Sequence, residues 1–88
     1  MKIREGFLLR SVDDEHVVVA IGKASVLLNG IIKLNDSGVM LWNLLQEGAD
    51  AECLALCLEK EYGISDERAT ADVTKFLETL RRANCLEE

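Results

Sequence analysis

The 88-residue chain has no proline, a single histidine, a single tryptophan and few other aromatics, and each scarcity removes something. The lone histidine, His16, has no sequence feature that supplies it a hydrogen-bonding partner, so general acid–base catalysis is not expected and His16 reads as structural. Six glycines are scattered rather than grouped, which excludes a phosphate-cradling loop. Apolar stretches such as 17–21 and 39–45 fall far short of the roughly 20 residues that a spanning helix needs. Positive charge is scarce as well. Ten basic against 16 acidic side chains leave a net charge of −6, the wrong sign for a partner covered in phosphates. Residues 1–5 carry no apolar segment of the kind a secretory signal requires. The three cysteines, Cys53, Cys57 and Cys85, are an odd number without framework spacing. Together these features predict free thiols in a reducing, cytoplasmic setting.

What is present is enough for one domain spanning 1–88 with a single modest core. Hydrophobic residues make up 49% and charged residues 30%, an ordinary globular balance rather than a disordered one. Charge is uneven: residues 1–34 hold five basic and four acidic side chains, whereas residues 35–88 hold five and twelve. The acidic C-terminal part is read as a solubilising surface.

Two periodicities divide the chain. Residues 4–34 read as strands. In the stretch 7–12, Phe7 and Leu9 share a face, 13–15 form a polar turn, and 16–21 are β-branched and continuous, as in a well-covered strand. Residues 26–34 are strand-like again. Asn29-Gly30 fits a tight hairpin turn or a bend or bulge feeding one strand over 30–34, and the second is preferred. From Asn35 the period becomes helical. Asn35, Asp36 and Ser37 offer cap oxygens to a helix with an apolar stripe of Leu41, Leu44 and Leu45 that ends near Gly48. Asp50 caps a second helix closing at Tyr62-Gly63, and Ser65 caps a third over about 66–83. The stripe of the third is Ala69, Val73, Phe76, Leu77 and Leu80. Asn84 can end it in the left-handed conformation, with Leu86 folding back onto its last turn. The link Gly63-Ile64-Ser65 makes the second and third helices a helix-turn-helix. The predicted fold is α+β: a winged-helix-like domain with a three-stranded antiparallel sheet followed by three helices.

Cys53 and Cys57 lie one turn apart and supply two metal ligands at most, where structural zinc takes four. Cys57 instead reads as a small core residue beside Leu54 and Leu58. No metal, cofactor or catalytic residue is expected. The third helix carries Arg68, Lys75, Arg81 and Arg82 against Asp66, Glu67, Asp72 and Glu78, a neutral surface unsuited to the major groove. Trp42 is assigned to the core.

A three-stranded sheet must leave edges open. The segment Gly30, Ile31, Ile32, Lys33 and Leu34 has one lysine, no proline and a glycine that permits close approach. The third helix offers a second stripe of Arg68, Asp72, Lys75, Thr79 and Arg82 flanking Phe76 and Leu80. A strand edge facing such a helix suits addition of a peptide strand.

The same residues resemble the PqqD-like family, the recognition element for ribosomally made, post-translationally modified peptides. The resemblance runs nearly end to end, through Glu5-Gly6-Phe7-Leu8-Leu9-Arg10, then Asn29-Gly30-Ile31-Ile32-Lys33-Leu34-Asn35-Asp36-Ser37-Gly38, then Leu41-Trp42-Asn43-Leu44-Leu45 with Gly48. It continues in Glu61-Tyr62-Gly63-Ile64, in Ala71-Asp72-Val73 with Phe76-Leu77 and Leu80, and in Cys85-Leu86-Glu87. The family's glycine in the final turn is replaced here by Asn84 or Cys85. The resemblance implies a non-catalytic chaperone that holds the leader of a precursor peptide as an added strand and presents it to a modifying enzyme, often a radical S-adenosylmethionine protein. The implied strand wall is Ile31, Ile32 and Lys33 within 30–34; the implied helix wall is Arg68, Asp72, Lys75, Phe76 and Thr79. The rival readings are a winged-helix nucleic-acid regulator and a homodimeric adaptor whose strand edges pair with each other.

Overall fold

The computed structural model describes residues 1–22 and 32–88. The order of elements is β1 (Lys2–Ile3), β2 (Phe7–Val12), β3 (Glu15–Ala20), β4 (Ile32–Leu34), α1 (Asp36–Glu47), α2 (Ala51–Tyr62), α3 (Asp66–Arg82) and β5 (Leu86–Glu87). Strands β2, β3 and β4 form an antiparallel sheet in that order, with β3 central. The hairpin between β2 and β3 closes on Asp13 and Asp14, with Val12 opposite Glu15 and Asp13 at φ 56°. Aspartate tolerates that left-handed geometry better than most residues. On the other side Val18 faces Ile32 and His16 faces Leu34.

Alternation decides which face is buried. Phe7 and Val18 are buried, with Leu9, Ala20, Ile32 and Leu34 packed against the core beside them. Leu8 and Val12, on the other face of β2, stay largely exposed. The strand expected over 16–21 ends at Ala20. Only Val18 in it is fully buried, and Ile21 is half exposed.

The helices begin where the side chains predicted. Asn35 accepts the Gly38 N–H at 2.9 Å, Asp50 that of Cys53 at 2.8 Å, and Ser65 that of Arg68 at 3.2 Å. Each cap contributes about 1 kcal/mol by satisfying an otherwise orphaned donor. Helix α2 stops at Gly63, whose φ of 63° suits a residue without Cβ and whose N–H bonds the Glu59 carbonyl at 2.9 Å. Ala69, Val73, Leu77 and Leu80 of α3 are buried among Leu54, Ala55 and Leu58 of α2 and Trp42 and Leu45 of α1. Trp42 is 1% exposed, a core residue as assigned. Cys57 is only half buried, and Ala55 takes the inner position assigned to it.

The C-terminus departs from expectation. Asn84 is left-handed at φ 61°, as predicted, but Leu86 does not merely lie on the last turn of α3. It forms β5, which pairs antiparallel with β1, setting Ile3 opposite Leu86 and Lys2 opposite Glu87. Ile3, Cys85 and Leu86 are buried together. The Arg4 N–H donates to the Cys85 carbonyl at 2.7 Å, and Arg81 pairs with Glu88 at 2.8 Å. Among the described residues no helix is long and apolar enough to cross a membrane. The choice of turn or bulge at Asn29-Gly30 lies outside the described residues.

Candidate functional site

A trough runs between β4 and α3. One end, about 460 Å³, is lined by Ile32, Lys33 and Leu34 on the strand side, Phe76 and Thr79 on the helix side, and Asn35 and Gly38. It adjoins a hollow of about 470 Å³ bounded by Arg68, Asp72, Lys75, Phe76 and Thr79 over a floor of Leu41, Leu58 and Gly38. A third part, about 320 Å³, continues past the end of β4 to Tyr62 and Ile64, with Leu58, Arg68 and Asp72 shared. The structure thus brings together Ile32, Lys33, Leu34, Arg68, Asp72, Lys75, Phe76 and Thr79. Gly30 and Ile31 lie outside the described residues.

Two local features build the floor. Asn35 accepts from both the Gly38 N–H and the Ser37 hydroxyl at 2.9 Å, which fixes the first turn of α1 at the end of β4. A Cβ on Gly38 would lie 3.2 Å from Leu34 Cβ, so a side chain there would push helix and strand apart. Leu41 and Leu58, legible in the sequence only as core, form the apolar base. In the sequence Tyr62 reads as the end of a helix and Ile64 as part of the link to the next. Their place in the trough depends on how α2 meets α1, which periodicity does not encode.

The charged residues of the walls are exposed. Arg68 approaches Asp72 to 4.0 Å along the helix, and Lys33 lies 3.7 Å from Glu15. Exposed pairs of this kind contribute little to stability, so these side chains remain adjustable. Phe76 is half buried and faces both main compartments of the trough.

His16 has partners after all. The cross-strand register places Ser11 opposite it, with Ser11 Oγ 2.7 Å from His16 Nδ1. Its Nε2 lies 3.7 Å from Asp36 Oδ1. That gap is too long for a hydrogen bond, and Asp36 is 92% exposed, so Ser11, His16 and Asp36 do not have the geometry of an activated nucleophile. Burial pushes the Cys85 thiol up to about 11, Arg4 opposing. The exposed Cys53 is also raised, by slight desolvation and then by neighbouring Cys57. No group of three or more potential metal ligands occurs among the described residues.

Comparison with known proteins supplies an independent line. The family model for coenzyme PQQ synthesis protein D (PqqD) matches residues 15–86. No curated protein matches the chain. Among solved structures, TbiB1 in complex with the TbiA(β) leader peptide is 26% identical, with a TM-score of 0.78 over 99% of this chain and 95% of that one. A lasso peptide synthetase B1 complexed with the leader peptide is 18% identical, with a TM-score of 0.76 over 99% and 96%. That second likeness is one of fold.

Proposed function

The chain belongs to the coenzyme PQQ synthesis protein D family, and from that premise we propose that it is a non-catalytic chaperone for the leader of a ribosomally made precursor peptide. The leader adds as a strand to the open edge of β4, and its inward side chains meet α3. Main-chain hydrogen bonds give affinity and the helix wall gives selectivity. The observation that carries this reading is the trough itself, because among the described residues β4 is an edge strand with a helix standing opposite. The likeness to TbiB1, whose structure holds a leader peptide, supports it. The protein then presents the bound peptide to a separate modifying enzyme, a radical S-adenosylmethionine protein being the class we favour. In this reading the protein works in the cytoplasm with no cofactor or metal of its own.

Titration of the isotope-labelled protein with leader peptides encoded beside its gene tests the placement. Amide signals of Ile32–Leu34 and of the trough face of α3 should move. Changes confined to β2 would sink it. The neutral surface of α3 speaks against a nucleic-acid regulator, and absence of a gel shift on duplex DNA at low salt would remove that rival. Sedimentation at several concentrations tests the homodimeric reading, in which peptide and a second copy would compete for an edge.

A further inference from the structure

Lys75 stands differently from the other cations around the trough. Arg68 lies 4.0 Å from Asp72 and Lys33 3.7 Å from Glu15, each a loose pair of exposed side chains. The two carboxylates nearest Lys75 along its own helix, Asp72 and Glu78, each face an arginine instead, Arg68 and Arg82, at 4.0 Å. Among the described residues Lys75 has no ion pair, yet it lines the central hollow above Leu41 and Leu58. Across that hollow the first turn of the twelve-residue helix α1 opens through Asn35, Ser37 and Gly38, its positive end toward the same space. The other carboxylate at the rim, Asp36, lies on the His16 side and offsets part of this field. A locally positive point therefore sits at the middle of a trough in a protein of net charge −6.

The spacing of the walls says which part of a strand meets it. From Arg68 to Thr79 the helix rises about 16 Å, at about 1.5 Å per residue, which matches about five residues of extended peptide. Alternate residues of a strand lie about 6.6 Å apart, close to one helical turn of about 5.4 Å. Three successive inward side chains of an added strand thus meet the Phe76–Thr79 end, then Lys75, then Arg68 and Asp72.

We infer that the trough selects peptides with an aspartate or glutamate at the central inward position, held by Lys75, with an apolar side chain two residues away against Phe76, Ile32 and Leu34. This rests on the strand-addition reading and names the class of leader that the site accepts.

Selection of random twelve-residue peptides displayed against the wild-type protein and against Lys75→Glu tests it, with circular dichroism confirming that the exposed substitution leaves the fold intact. Wild type should enrich peptides with a carboxylate at one fixed position and an apolar residue two away. Lys75→Glu should exchange that carboxylate for lysine or arginine. For a selected peptide, changing the glutamate to glutamine should weaken binding to wild type roughly two- to five-fold, the worth of a part-exposed ion pair, and the difference should vanish at high salt. With Lys75→Gln the same change should have no effect. Enriched peptides without a charge preference, or with the same preference on both proteins, would overturn the role of Lys75 and leave strand addition standing. Failure to enrich any peptide on either protein would overturn both.

Discussion

Among the described residues the three-stranded sheet has two edge strands, β2 and β4, and they differ in what stands opposite them. Strand β2 carries the exposed Leu8 and Val12, whereas Ile32 and Leu34 of β4 are half buried. Judged by exposed apolar surface alone, β2 is the better template for a new strand. Only β4 forms a wall of the trough, with α3 across from it and the first turn of α1 as floor. Main-chain hydrogen bonds to an added strand are each worth about 1 kcal/mol net, against an association cost of several kcal/mol. An edge becomes a binding site when something opposite it can take up side chains.

Substitutions on the two sides of the sheet should separate these roles. The largest effect is expected from Trp42→Ala, which removes the biggest fully buried side chain and should cost about 3–5 kcal/mol in urea unfolding. Both edges should be lost in one transition. A variant that kept β2–β3 paired while losing the trough would show that the sheet stands alone. Next comes Phe76→Ala, expected to weaken leader binding tenfold or more as the loss of a central aromatic anchor, whereas Leu8→Ala on β2 should leave affinity unchanged in calorimetric titration. The reverse result would move the site to the other edge.

Gly63→Ala should cost about 1 kcal/mol of stability by placing a Cβ at positive φ, although nothing crowds the position. Thermal unfolding reads that cost, and binding to the folded protein should persist. The last effect concerns Cys85 and is absent at neutral pH. An unfolded thiol loses its proton near about 8.5, whereas the buried one holds it to about 11. The neutral form thus favours folding. Stability should be flat below the lower value and decline as pH rises through the upper one, visible as a falling urea midpoint that Cys85→Ala flattens. Iodoacetamide should label Cys53 readily and Cys85 only upon unfolding.

Much of this architecture was legible in the sequence. The change of period at Asn35 and the cap residues Asn35, Asp50 and Ser65 mark the helices because capping is local chemistry, settled within three or four residues. The trough walls were legible in part: the α3 stripe follows from helical spacing and the β4 edge from alternation. What could not be read depends on distant partners. Two-residue strands such as β1 and β5 are too short to carry a period, so the pairing of Ile3 with Leu86 left no trace. Ser11 reached His16 through register, and Asp36 reached it through the β4–α1 junction. Tyr62 and Ile64 join the trough only through the way α2 settles against α1.

The pairing of Lys2 with Glu87 has an engineering consequence. Polypeptide leading into the domain and polypeptide leading out of it pass through neighbouring points, and neither Lys2 nor Glu87 lines the trough. The unit is therefore suited to being spliced into a surface loop of a host enzyme, or closed into a ring by a short linker and reopened elsewhere. In either form the slot would travel intact, as a portable docking cassette for tagging one protein with the substrate of another.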